Sequence, residues 1–281
     1  MHIFTKYDKG NTFVVLVLVW TWLILGVPAL LGYHYDDLGI KIAYLLAGAS
    51  PSLFGLFFVF QTKNSKYRKT FIRRIFSLGN ANGKMIGFVL VFVPSVTFVA
   101  ALINRVISGE PFDFSVIGEH FQNIPGLLVF ILFSIIFGPL AEEIGWRGYL
   151  SDQWKNKGIL FYGLGIGFIW TIWHLPMFLI VGTYQNSLLA QGVLAVSCFV
   201  ISTISYGVLL GHLAVLSNSI LLAIIFHFSI NFVGEILPLS ITGEAVRTCL
   251  LLCLACGVVY YVRKSYESIS EKIRGEKSDE I

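Results

Sequence analysis

Charged residues are scarce in this chain. Lys, Arg, Asp and Glu make up 13% of its 281 residues, whereas 56% are hydrophobic, and the mean hydropathy is +0.77. Soluble domains usually contain about 25% charged residues, so the composition excludes an ordinary soluble domain. The net charge of +4 is explained by basic residues that flank apolar runs and meet anionic headgroups. The lipid bilayer is therefore an expected partner, and nucleic acid is not.

Two common signatures of hydrolases are missing as well. The sequence contains no His-Glu-x-x-His run and no Gly-x-Ser-x-Gly run. These absences exclude the ordinary zinc-protease helix and the usual nucleophile elbow of serine hydrolases. The four cysteines lie within apolar runs, which favours a packing role. No Pro/Gly/Ser-rich linker or obvious repeat divides the chain, so we expect a single domain.

Long apolar runs dominate the chain instead. Eight of them approach the roughly 20 residues that cross the hydrocarbon core of a bilayer. They lie at 12–31, 40–60, 85–103, 124–146, 160–181, 188–211, 219–238 and 246–262. The sequence therefore predicts an all-α, polytopic membrane helix bundle with about eight transmembrane helices. Basic residues concentrate in alternate loops and in the tail, so the positive-inside rule predicts that both termini are cytoplasmic.

Three charged residues lie at the end of the fourth run. Glu142, Glu143 and Arg147 occur in A-E-E-I-G-W-R-G-Y-L, residues 141–150. A charge at the bilayer centre costs at least about 3 kcal/mol on insertion scales, so such residues indicate a functional site. Glu143 and Arg147 are four positions apart and are expected to form an ion pair, which leaves Glu142 for chemistry. The alternative is a hydrated cluster at the cytoplasmic end of the helix.

Two histidines lie in later apolar runs. His174 follows Trp170 by four positions, and His227 precedes Asn231 by four positions, so each pair shares a helical face. A lone histidine in a membrane helix more commonly makes an interhelical hydrogen bond than takes part in catalysis. Three polar clusters on separate apolar runs nevertheless predict one shared polar site.

Such a site could activate water. Glu142 and His174 could position and deprotonate a water molecule, while His227 and Asn231 could donate hydrogen bonds to an oxyanion. Alternatively, Glu142, His174 and His227 could bind zinc, with water as the fourth ligand. The metal-free arrangement is favoured because it gives both His227 and Asn231 a role. No cofactor is therefore favoured, and zinc is the alternative.

Together these motifs resemble a known family. They are Glu-Glu-x-x-x-Arg at 142–147, aromatic-x-x-x-His at 170–174 and His-x-x-x-Asn at 227–231. Their order and spacing are similar to those of the CPBP family, which comprises type II CAAX prenyl proteases and Abi-like bacterial relatives linked to bacteriocin processing and self-immunity. The resemblance covers residues 124–235. Trp170 departs from the phenylalanine that the family often has, but both are large aromatic residues.

The resemblance implies a division of roles among these residues. The implied catalytic residues are Glu142, His174, His227 and Asn231. The implied supporting residues are Glu143, Arg147 and Trp170. It also implies three parts of the chain: transmembrane helices 1–3 with their loops at 1–123, a catalytic helix bundle at 124–262 with its core at 124–235, and a cytoplasmic tail at 263–281.

The leading hypothesis is an intramembrane endopeptidase in a bacterial cell membrane. Its substrate would be a membrane-associated peptide or protein, such as a prenylated C-terminus, a bacteriocin leader or a signalling peptide. A catalytically silent scaffold or immunity protein is the first alternative, and retention of all three motifs disfavours it. A transporter that relays protons through Glu142 and the histidines is the second, and the lack of an inverted repeat disfavours it.

Overall fold

The structure is a computed structural model that describes residues 9–110 and 114–278, so the predicted tail at 263–281 lies partly outside it. The described chain is built from helices joined by short connections. The first six are α1 (Lys9–Leu30), α2 (Leu38–Gly48), α3 (Ser50–Gln61), α4 (Ser65–Phe76), α5 (Gly83–Ser108) and α6 (Ser115–Gln122). They are followed by α7 (Ile124–Lys157), α8 (Leu160–Phe178), α9 (Tyr184–Gln191), α10 (Val193–Ser217), α11 (Ile220–Ile236) and α12 (Ile241–Ser278).

Six described helices are long and apolar enough to cross a membrane, namely α1, α5, α7, α8, α10 and α12. Helices α2 and α3 form a seventh candidate if they are counted as one span bent by 44°, and α11 is a shorter apolar helix of 17 residues. Each of the eight predicted runs thus contains apolar helix, and the all-α polytopic bundle is confirmed. The predicted run 188–211 is divided, because Gly192 adopts a φ of 99° between α9 and α10.

Helix α7 changes its winding around the charged residues. π-Helical turns at Ile136–Leu140 and Ile144–Leu150 flank three α-helical residues, Ala141–Glu143. Turns of this kind are rare and occur frequently at functional sites. Pro139 lies in the first π-turn and cannot donate a backbone hydrogen bond, which favours a local departure from regular α-helix. Every residue from Ala141 to Leu150 is buried, so the irregular stretch occupies the centre of the bundle.

Glycines allow α8 and α10 to pack with their backbones in contact. A Cβ atom on Gly207 would collide with the Cα of Gly167, and one on Gly211 would collide with the carbonyl of Tyr162. A Cβ on Gly163 would lie 3.4 Å from the Cα of Val208. Small residues four positions apart permit such close approach between membrane helices. Gly163 and Gly167, four positions apart on α8, therefore form the surface against which α10 packs.

The N-terminal helices support α7 directly. A Cβ on Gly145 would collide with the backbone of Pro51, so α3 and α7 touch through their main chains. The Ser52 hydroxyl donates a 2.9 Å hydrogen bond to the Leu140 carbonyl, at the end of the first π-turn. Helix α3 therefore fixes the stretch of α7 that carries the two glutamates.

The cysteines are arranged differently from the prediction. Cys198 is buried in α10, as a packing residue should be. Cys249, Cys253 and Cys256 are exposed on the outer surface of α12. The packing role is therefore right for Cys198 and wrong for the other three, because helical spacing does not indicate which face of a membrane helix is turned inward.

Candidate active site

Glu142 is buried and held by an indole. Its Oε2 accepts a 2.6 Å hydrogen bond from Nε1 of Trp170 on α8, and the glutamate is only 8% exposed. Hydrogen bonds to a carboxylate are roughly twice as strong as neutral ones, so this contact fixes the orientation of the group. The motifs indicated a supporting role for Trp170 but not this hydrogen bond. A usable signal was present, since a buried tryptophan usually finds an acceptor for its N–H.

Glu143 faces different partners from its neighbour. Nη1 of Arg147 donates to Oε1 of Glu143 at 3.0 Å, and both side chains are 0% exposed. The predicted ion pair is therefore present. The same Oε1 lies 2.6 Å from Nδ1 of His227 on α11, a contact that the sequence did not predict. Glu143 thus joins α7 to α11 and anchors the second histidine.

His174 has a defined tautomer. Its Nδ1 lies 2.8 Å from the carbonyl oxygen of Trp170, one turn earlier on α8. Because a carbonyl oxygen only accepts hydrogen bonds, Nδ1 carries the proton, and Nε2 of the neutral ring is an acceptor. The ring is half-buried. His174 can therefore hold a hydrogen atom of a water molecule through Nε2.

His227 is constrained by its carboxylate partner. Glu143 accepts the hydrogen bond, so Nδ1 of His227 carries a proton. In a neutral ring Nε2 would then be an acceptor. It becomes a donor only when the ring carries both protons, in which case Glu143 provides the opposite charge. Any oxyanion-binding role of His227 therefore depends on Glu143.

The indole of Trp170 lies at the centre of these groups. Its ring centroid is 5.1 Å from that of His227 and 5.7 Å from that of His174. Cζ of Arg147 lies 4.5 Å from the same ring, within the range of a cation–π interaction. Together with the hydrogen bond to Glu142, these contacts assemble the polar residues of α7, α8 and α11 around one side chain.

Asn231 lies at the exposed edge of the group. It follows His227 by one turn of α11 and is largely exposed. A Cβ atom on Gly138 would lie 3.1 Å from the Asn231 Nδ2, which places the amide beside the first π-turn of α7. Gly138 lies outside the three sequence motifs, which therefore gave no indication of its role. The absence of a side chain there leaves room for the amide next to the turn that leads to Glu142.

A zinc ion would need three ligands that converge on one point. Glu142, His174 and His227 are chemically suitable donors, and both histidines use Nδ1 for other contacts, as metal-binding histidines do. Within residues 9–110 and 114–278, however, no three His, Cys, Asp or Glu side chains are grouped closely enough to hold a metal ion. In the described arrangement, Glu142, His174 and His227 therefore do not converge on one point.

Comparison with known proteins agrees with this geometry. Residues 124–233 match the family model described as type II CAAX prenyl endopeptidase Rce1-like. Over these residues the chain is similar to the type II CAAX prenyl endopeptidases. A curated protein, CAAX prenyl protease 2 of Methanococcus maripaludis, is 28% identical over 259 residues, which cover 91% of this chain and 93% of the relative. The resemblance stated from the motifs is confirmed, and these matches support a CAAX-type protease in a multi-pass membrane protein.

Proposed function

We propose that this protein is an intramembrane endopeptidase that hydrolyses a peptide bond with water activated by Glu142 and His174. The observation that carries the proposal is that the two adjacent glutamates have different hydrogen-bond partners. Glu143 is engaged by Arg147 and His227, whereas Glu142 is oriented by the Trp170 indole through Oε2 alone. Among the described residues, Glu142 has no cationic hydrogen-bond partner, and the indole that holds it also contacts the rings of His174 and His227. Such a buried carboxylate is suited to general base catalysis.

Water activation uses the two fixed groups. Nε2 of His174 accepts one hydrogen of the water, and the Glu142 carboxylate removes the other as the water oxygen attacks the carbonyl carbon of the substrate. Glu142 then transfers this proton to the leaving amine nitrogen as the C–N bond breaks. The products are a new carboxyl terminus and a free amine, and Glu142 returns to its ionised form.

The negative charge that develops on the carbonyl oxygen needs donors. Nδ2 of Asn231 and Nε2 of a doubly protonated His227, one turn apart on α11, are proposed to provide them. Removal of one oxyanion donor typically lowers kcat by about 10²–10³. Glu143 would keep the His227 ring oriented and balance its charge, and Arg147 would hold Glu143 in place. In this scheme each polar residue of the site has a function without a metal ion.

The proposed substrate is a membrane-associated peptide or protein. Cleavage of a prenylated C-terminal sequence is the first candidate, because the relative from Methanococcus maripaludis is called a CAAX prenyl protease. Processing of a bacteriocin or signal peptide is the alternative. The distribution of basic residues supports an orientation with both termini in the cytoplasm.

The test uses the purified protein in lipid nanodiscs with a farnesylated CAAX peptide, and mass spectrometry identifies the released C-terminal fragment. Glu142→Gln should abolish cleavage while the yield of folded protein stays normal. Glu235→Gln, at an exposed glutamate of α11, is the matched control and should keep wild-type activity. Full activity of the Glu142 variant would refute the base role, and failure of the wild type to cleave any membrane peptide would favour a silent scaffold.

A further inference from the structure

A polar cavity of about 270 Å³ adjoins the active-site cluster on the side of Arg147. It lies between α4, α7 and α10, at the end of the bundle that carries the basic loops. Three exposed residues, Asn80, Lys155 and Asn218, surround its opening. Arg147, which is 0% exposed, forms part of its inner wall. The cavity therefore connects the surface with the arginine that holds Glu143.

Positive charge exceeds negative charge in the lining of this cavity. Arg74, Arg147 and Lys155 contribute cations, and Asp152 is the carboxylate among the lining residues. Asp152 is already well supplied with donors, since Arg74 Nη1 and the Tyr67 hydroxyl contact its Oδ2 at 2.7 and 3.0 Å. Lys155 Nζ contacts its Oδ1 at 3.3 Å. Arg147 is paired with Glu143, which is not part of the lining, and has no hydrogen bond to Asp152 in the described structure. Three cations therefore face two carboxylates, and one positive charge remains.

Both buried arginines retain hydrogen-bond donors without an acceptor. Within the described residues, Nε and Nη2 of Arg147 and Nε of Arg74 are buried and have no hydrogen-bond partner. A buried donor of a charged group that is left unsatisfied costs more than the roughly 1–3 kcal/mol of a neutral one. Both arginines line the cavity, so an acceptor located there would lie next to the side chains that carry these free donors.

We propose that this cavity binds a phosphate-type oxyanion. Arginine presents its N–H groups in a planar fork that matches the oxygens of phosphate, and lysine adds a point charge at the opening. The cavity volume accommodates a phosphate group with several waters, each of which occupies roughly 30 Å³. Water could also accept hydrogen bonds from the free N–H groups, but it would not balance the single positive charge that remains after the Arg147–Glu143 and Arg74–Asp152 pairs. This remaining charge is the reason for choosing an anion.

The anion has two possible sources with the same chemistry. One is free phosphate, and the other is the phosphate of an anionic lipid headgroup, which would meet the basic end of the bundle at the membrane surface. In either case the anion would contact the guanidinium that binds Glu143 at 3.0 Å, and Glu143 in turn contacts His227 at 2.6 Å. The inference adds a binding site to the protein and does not depend on proteolysis.

The first experiment measures the unfolding temperature (Tm) of the full-length protein in detergent as sodium phosphate replaces sodium chloride at constant ionic strength. Lys155→Gln removes the cation at the opening, and Lys157→Gln is the matched control at an exposed lysine two positions away. We expect a saturable rise in Tm for the wild type and for the control. Half-saturation should require about tenfold more phosphate in Lys155→Gln, equivalent to about 1.4 kcal/mol.

The second experiment distinguishes the lipid source. The same proteins are placed in nanodiscs of phosphatidylcholine, with or without phosphatidylglycerol, in a buffer that contains no phosphate. A rise in Tm with phosphatidylglycerol that is weakened in Lys155→Gln and kept in Lys157→Gln would support a headgroup site, even if free phosphate has no effect. The proposal is overturned if neither probe raises Tm, or if both lysine variants respond like the wild type. Since unfolding is measured, loss of protease activity would not affect the result.

Discussion

Replacing Arg147 with methionine should destabilise the protein strongly. Arg147 and Glu143 are both 0% exposed and are joined by a 3.0 Å contact. Methionine fills much of the volume of the arginine stem but leaves the Glu143 charge buried with His227 as its remaining polar contact. Breaking a buried ion pair by removing one partner typically costs about 3–5 kcal/mol. We expect a loss of this size and a lower yield of folded protein.

The assay is reversible unfolding in mixed micelles, followed by tryptophan fluorescence, for Arg147→Met, Glu143→Gln and the double variant. Glutamine retains a carbonyl oxygen that can accept from Nδ1 of His227. The double variant contains neither charge, so it should be markedly more stable than the sum of the two single losses predicts. Lys41→Met is the control, because Lys41 and Asp36 form an exposed pair at 3.8 Å and such pairs contribute about 0–1 kcal/mol.

Two outcomes would refute this reasoning. If Arg147→Met lowered the free energy of unfolding by less than about 1 kcal/mol, the Arg147–Glu143 pair would contribute no more than an exposed ion pair does. The Glu143 charge would then not be desolvated. Strict additivity of the single variants would show that the two side chains contribute independently, despite the contact between them.

Three further predictions concern catalysis. Gly138→Ala should lower kcat in the peptide assay about tenfold or more, because its Cβ would lie 3.1 Å from Asn231 Nδ2 and displace an oxyanion donor. Gly234→Ala is the control and should have little effect, because the space around its Cβ is open. Trp170→Phe should keep the fold but lower kcat on the order of tenfold, because a charge-assisted hydrogen bond to Glu142 is lost. An equal kcat for the wild type and this variant would contradict the positioning role of Trp170. Thorough chelation should leave turnover unchanged and elemental analysis should find no stoichiometric zinc, whereas activity lost on chelation and restored by zinc would reverse the metal-free proposal.

Features that depend on local spacing could be predicted from the sequence. The lengths of the apolar runs indicated the membrane helices, and the four-residue separation of Glu143 and Arg147 indicated their pair. Both follow from the geometry of a single helix. The order of the three motifs then indicated that their helices share one site.

Features that depend on packing between helices could not be predicted in the same way. The contact between Glu143 and His227 joins residues 84 positions apart, and the Trp170–Glu142 hydrogen bond joins residues 28 apart. Arg74 appeared in the sequence as one of several basic loop residues, but it is only 7% exposed and contacts Asp152. Charge patterns indicate the membrane side of a loop, but they do not show which of its side chains turn inward.

The two π-turns of α7 affect how this helix tolerates changes in its length. A π-turn is commonly equivalent to one residue added to an α-helix, because its hydrogen bonds span i to i+5 instead of i to i+4. Deleting one residue within Ile144–Leu150 would therefore convert a π-turn into an ordinary α-helical turn, and the residues on either side would keep the directions in which they face. Asp152 would still contact Arg74, and the two glutamates would stay in place. This stretch can thus absorb a change of one residue in length without displacing the side chains on either side of it.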